Sequence, residues 1–158
     1  MTKTAALFAE YLFHIQREID INAPVGIAFE ALLEQLGPAS EMPDGKPMPM
    51  KLEAWPGGRW YRDLGNNSGH LWGHVQVIKP PKLLELWGPM FMSFAAVNHV
   101  QYRLVEHGAG TRVTFTHRAL GEIPAEYRDG MPEGWDYILK KIREAAERRK
   151  SSASESRQ

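Results

Sequence analysis

The hydrophobic repeat of this chain changes period near residue 120. From about residue 50 to 118, apolar side chains come in short runs punctuated by turn residues. From Trp135 onward, Trp135, Ile138, Leu139, Ile142, Ala145 and Ala146 recur at helical spacing. A helix with one apolar stripe must bury it, and a sheet with one apolar face must cover that face. The order therefore predicts an α+β fold in which a curved antiparallel sheet of about seven strands wraps a long C-terminal helix.

The segments before this switch fit the same plan. Phe13, Ile15, Ile19 and Ile21 alternate broadly with His14, Gln16, Glu18 and Asp20, as in a half-buried strand. Asn22, Ala23 and Pro24 then supply a capping side chain and a first-turn proline for a helix through Phe29, Leu32, Leu33 and Leu36, closed by Gly37 and Pro38. Residues 38–49 hold four prolines and Gly45, which predicts a loop. Strands are expected at 50–55, 59–64, 70–78, 82–88, 97–106 and 111–118, the last two joined across His107-Gly108-Ala109-Gly110. Residues 1–12 form an N-terminal extension and 13–150 the domain. The apolar-poor stretch 151–158 is expected to be a disordered tail.

Composition narrows the function. Nineteen basic residues balance nineteen acidic ones, so nothing points to nucleic acid. With no cysteine there is no disulfide framework, thiolate metal site or cysteine nucleophile, and the cytosol is the expected compartment. Glu10 interrupts the apolar stretch from Ala5 to Phe13, which is unlike a secretory signal. The longest apolar run, Met90 to Val97, falls well short of the ~20 residues that cross a bilayer. His70 and His74 lie roughly 13 Å apart along a strand, too far to share one ion. No metal and no cofactor are expected.

Several short pieces occur here in a particular order: Ile21-Asn22-Ala23-Pro24 with Phe29, Gly57-Gly58-Arg59-Trp60, Gly73-His74-Val75 leading to Pro80-Pro81-Lys82-Leu83, Gly110 to His117, and Gly134-Trp135. In this set the chain resembles the START-like (SRPBCC, helix-grip) superfamily, and within it the homologues of the activator of the heat-shock-protein-90 ATPase. The resemblance covers about residues 13–147. It implies a cavity for a small hydrophobic or aromatic molecule between sheet and terminal helix.

The residues expected to line that cavity are Trp60, Trp87, Phe91, Phe94, Tyr102, Phe115, His117 and Trp135. No residue is assigned a catalytic role. His117 shares a face with Val113 and Phe115, where a buried imidazole satisfied by a carbonyl or a tyrosine is the plainer reading and a polar anchor the functional one. Glu85 is solvated if Leu84 and Leu86 are buried and points inward if Leu83 and Trp87 are. The family pattern favours the inward side, where an unpaired carboxylate is costly. The apolar loop Met90 to Val97 is read as a lid on the cavity or a homodimer surface. Alternatives to simple binding are a cyclase-like or hydrolytic enzyme using His117 with Glu85 or Tyr102, and a co-chaperone or stress-associated interaction module.

Overall fold

A computed structural model of the chain describes residues 2–90 and 93–157. The order of elements is α1 (Lys3–Glu10), β1 (Leu12–Ile21), α2 (Val25–Leu36), β2 (Lys51–Leu52), β3 (Arg59–Gly65), β4 (Ser68–Lys79), β5 (Leu83–Gly88), β6 (Ala96–His107), β7 (Gly110–Gly121) and α3 (Ala125–Glu155). The strands form one seven-stranded antiparallel sheet in the order β1-β7-β6-β5-β4-β3-β2. Each consecutive pair from β2 to β7 is joined by a tight or moderate connection, and β1 closes the far edge against β7. This is the helix-grip arrangement. No helix of the described residues is long and apolar enough to cross a membrane.

Alternation fixes which side chains face inward. Ile15, Leu84, Leu86, Val100, Tyr102, Leu104, Val113, Phe115 and His117 are buried on the concave face. Met131, Trp135, Leu139, Ile142, Ala145 and Ala146 of α3 are buried against it. α2 adds Ala28, Phe29, Ala31, Leu32 and Leu36 to the same core. Polar pairs then pin the two helices together: Arg149 lies 3.5 Å from Glu30 and also pairs with Glu34. Asn22, expected to cap α2, turns to α3 instead. Its amide donates to Glu147 at 3.0 Å and its side-chain oxygen accepts from Lys150 at 3.0 Å, while Pro24 occupies the cap position.

Strands β4 and β5 approach closely where Gly73 faces Gly88. A Cβ on Gly73 would sit 2.5 Å from the Trp87 carbonyl oxygen, and one on Gly88, whose φ is 151°, 2.5 Å from the Gly73 Cα. Only hydrogen fits at either position.

Two elements depart from expectation. α3 begins at Ala125, earlier than the start near Pro132 that the sequence suggests, so Gly130, Pro132 and Gly134 all lie inside the helix. Its C-terminal end runs on through Glu155, so most of the stretch assigned to a disordered tail is helical. The N-terminal extension likewise carries the short helix α1.

Because α3 covers the concave face, a charge in its stripe should be intolerable. Ile142 is 2% exposed, and Ile142→Asp should lose more than about 4 kcal/mol, a large part of the ~5–15 kcal/mol available to a domain. Urea denaturation followed by circular dichroism measures it, and an unchanged midpoint would contradict the packing described.

Candidate functional site

Between α3 and the β2–β4 end of the sheet lies a cavity of about 360 Å³. Trp60 of β3 and Trp72 of β4 form its floor, stacked edge to face with ring centres 5.1 Å apart. The Trp60 indole N–H donates to the Leu36 carbonyl at 2.7 Å, which ties the floor to the end of α2. Met131, Gly134, Trp135 and Ile138 of α3 form the facing wall.

The mouth is built by the proline-rich loop. Ser40, Glu41, Met42, Pro43 and Met48 all border the cavity. Backbone bonds from Met42 N–H to Lys46 O at 2.9 Å and from Met48 N–H to Ser40 O at 2.8 Å hold the loop in shape. At the rim the Tyr137 hydroxyl donates to Glu41 Oε1 at 2.5 Å, and Lys141 Nζ stands 3.3 Å from the same oxygen. The hydroxyl bond holds the Glu41 carboxyl below the usual carboxylate range, with Lys141 adding to the effect. In return it pushes Tyr137 up to about 12.

Of the residues expected to line a cavity, Trp60 and Trp135 border it and the other described ones take other places. Phe115 and Tyr102 are fully buried in the core behind Trp135: the Phe115 ring centre is 4.6 Å from that of Trp135 and 5.0 Å from that of Tyr102. Phe94 is half-buried and stacks on Tyr127 with centres 4.8 Å apart, at the cavity edge. Phe91 lies outside the described residues. Trp87 is on the opposite, outer face of the sheet, 49% exposed, beside Leu12, Val97 and Leu120. The cause is register: Leu84 and Leu86 are the buried pair, which turns both Trp87 and Glu85 outward. Glu85 is paired there, accepting from Gln101 at 2.8 Å with His99 Nε2 3.6 Å away. The inward placement favoured by the family pattern does not occur.

His117 is buried and satisfied, but by neither a carbonyl nor a tyrosine. Trp135 Nε1–H donates to His117 Nδ1 at 2.9 Å, which leaves the ring proton on Nε2, donated to Asn98 Oδ1 at 2.7 Å. Asn98 Nδ2 continues the chain to the carbonyls of Gly88 at 3.1 Å and Pro89 at 3.3 Å. Burial pushes the imidazole down to about 4, so it is neutral at pH 7 and both its nitrogens are engaged. Tyr102, by contrast, buries its hydroxyl with no hydrogen-bond partner among the described residues. The acid–base set of His117 with Glu85 or Tyr102 is thus not brought together. Among the described residues no three histidine or acidic side chains converge on a point that could hold a metal.

Sequence reasoning missed Trp72, Glu41 and Tyr137. Glu41 and Tyr137 are 96 positions apart and carry no local pattern.

Two consequences are measurable. An ordinary imidazole titrates at 6.5 and His117 only at about 4. Between these values the unfolded chain binds a proton that the folded chain refuses, so stability is full above 6.5 and falls as pH drops toward 4. The loss should reach about 3 kcal/mol, and His117→Gln should abolish that part of the slope in urea titrations across the interval. Tyr102→Phe should leave stability unchanged or raise the melting temperature by a few degrees, since it removes an unpaired buried hydroxyl worth about 1–3 kcal/mol. A clear loss of stability would reveal a partner for that oxygen.

Residues 28–147 match the family described as Activator of Hsp90 ATPase homolog 1-like protein. No curated protein matches the chain. Among solved structures, an uncharacterized protein from Rhizobium leguminosarum superposes with a TM-score of 0.67 at 16% identity, over 87% of this chain and 95% of that one. The di-domain ARO/CYC protein StfQ from the steffimycin biosynthetic pathway gives 0.65 at 10% identity, over 93% of this chain and 54% of that one. Ara h 8.0201 gives 0.62 at 12% identity, over 85% and 97%. At such identities the likeness is one of fold. With the family match spanning most of the sheet and the terminal helix, the chain belongs to the Activator of Hsp90 ATPase homolog 1-like family of the START-like, helix-grip superfamily.

Proposed function

We propose that this protein binds a small hydrophobic or aromatic molecule in the cavity between α3, the 38–49 loop and strands β3 and β4. The observation that carries the reading is the wall itself. A space of about 360 Å³ is lined by Trp60, Trp72, Met48, Met131, Trp135 and Ile138, and small-molecule sites run from ~300 Å³ upward with mainly apolar walls. Burial of apolar ligand surface there gains roughly 25 cal/mol per Å². Methionines at the mouth and wall let one cavity adapt to related shapes.

Catalysis on such a molecule is the second reading, supported by the fold shared with StfQ. It must draw on the rim pair Glu41 and Tyr137, because His117 has no free nitrogen and Glu85 faces away.

Glycine spacing offers a clean test. Gly130 and Gly134 are one helical turn apart and border the cavity, and a Cβ added at either meets no atom within 4 Å. Replacing both with leucine should fill the space while relieving about 1 kcal/mol of helix cost per glycine. Nile red fluorescence should therefore be enhanced by the native protein and not by the double variant, with an unchanged or higher melting temperature. Equal enhancement by both would place the apolar site elsewhere. A native mass spectrum of freshly purified protein would identify a co-purifying molecule directly.

A further inference from the structure

We propose that the cavity takes a ligand with a cationic, amine-bearing head on its apolar body and rejects the corresponding carboxylate. The inference rests on the cavity being a binding site and adds the charge of what it binds.

The charged side chains among the described lining residues are Glu41 and Glu126, and no lysine, arginine or histidine borders the space. Glu41 is the better placed of the two, on a hydrogen-bonded loop with its side chain 24% exposed. Tyr137 and Lys141 both approach Oε1, leaving Oε2 without a partner among the described residues. Lys141 is itself divided, standing 3.5 Å from Glu144 as well as 3.3 Å from Glu41. Lys141 and, at longer range, Arg148 act on the Glu41 carboxylate, but neither borders the cavity, whose own charged lining is acidic only.

That free oxygen decides what can enter. A ligand that fills the cavity up to its mouth meets the Glu41 carboxylate, and drying a carboxylate oxygen without giving it a donor is costly. A neutral hydrocarbon leaves that cost unmet, and a carboxylate adds like-charge repulsion. An ammonium group supplies both donor and opposite charge. The tryptophan and tyrosine rings around the space, Trp60, Trp72, Tyr127, Trp135 and Tyr137, favour a cation over an anion as well.

The test uses three probes with one aromatic body: methylnaphthalene, naphthylmethylamine and naphthoate, titrated calorimetrically into the full chain at pH 7. The amine should bind about tenfold or more tighter than naphthoate, the size of effect expected from one charge-assisted hydrogen bond. Glu41→Gln should remove most of that preference by weakening the amine, while methylnaphthalene, no longer drying a carboxylate, binds as tightly or more tightly. Lys141→Gln, which keeps the carboxylate, should widen it. Equal binding of amine and naphthoate, or tighter binding of naphthoate, overturns the inference and leaves the cavity reading standing. So does a preference unmoved in both variants. Binding of none of the three overturns the cavity reading, and this inference with it.

Discussion

The hydrogen-bonded chain Trp135–His117–Asn98, ending on the carbonyls of Gly88 and Pro89, holds the terminal helix in one orientation on the sheet. It connects α3, β7, β6 and the end of β5, four segments that apolar packing alone would allow to slide. Apolar contact is non-directional and tolerates rotation of a helix about its axis. A buried N–H that must find one particular lone pair does not. Each member depends on the next: the Trp135 N–H requires an acceptor at Nδ1, so the imidazole must carry its proton on Nε2, so Asn98 must present its oxygen and aim its amide at the backbone. Loss of one group leaves the others as buried orphans, each costing about 1–3 kcal/mol.

The orientation that this chain fixes also creates the empty space. With Trp135 turned to the sheet, Gly134 beside it and Gly130 one turn earlier border the gap over Trp60 and Trp72. Larger residues there would close the interior, as Leu139 and Ile142 do further along the helix. The cavity is thus a stretch of helix–sheet interface where two successive turns of the helix each present a glycine in place of a side chain. The 38–49 loop, too rich in proline to pair as a strand, folds over the opening and supplies Met42, Met48 and Glu41.

Much of the fold was legible in sequence for reasons that can be named. The β6–β7 hairpin combines long alternation with a glycine-rich turn, and the structure pairs His107 with Gly110 across it. The stripe from Trp135 to Ala146 is helical on any reading. The start of α3 was hidden because Gly130, Pro132 and Gly134 have the composition of a loop, and tertiary packing overrides that propensity. In Leu83 to Trp87 both phases place apolar residues inward, so parity could not be decided locally and Trp87 went to the wrong face. Trp72 sits at a register shift of β4 against β3, between the pairs Trp60–Gly73 and Tyr61–Leu71, where simple alternation fails. Fold, for the same reason, outruns function: one helix-grip scaffold hosts unlike activities, and the site must be argued from its own groups.

The polar groups of the core, the outer face and the rim differ in how fully their partners satisfy them. His117 is the most deeply buried titratable group with a full set of partners, and that completeness leaves it nothing to offer a ligand. Glu85, on the outer face, is occupied by Gln101 and His99. Glu41 shares its carboxylate chemistry with Glu85, but Tyr137 and Lys141 both approach one oxygen, and the other accepts no hydrogen bond from the described residues. Recognition needs a group that is held in place yet incompletely satisfied: fixed, so that little entropy is lost on binding, and unsaturated, so that the ligand supplies the missing bond. Within the cavity wall that description fits Glu41, and it does so because a loop, unlike a strand, can bring a carboxylate to an apolar opening without burying it.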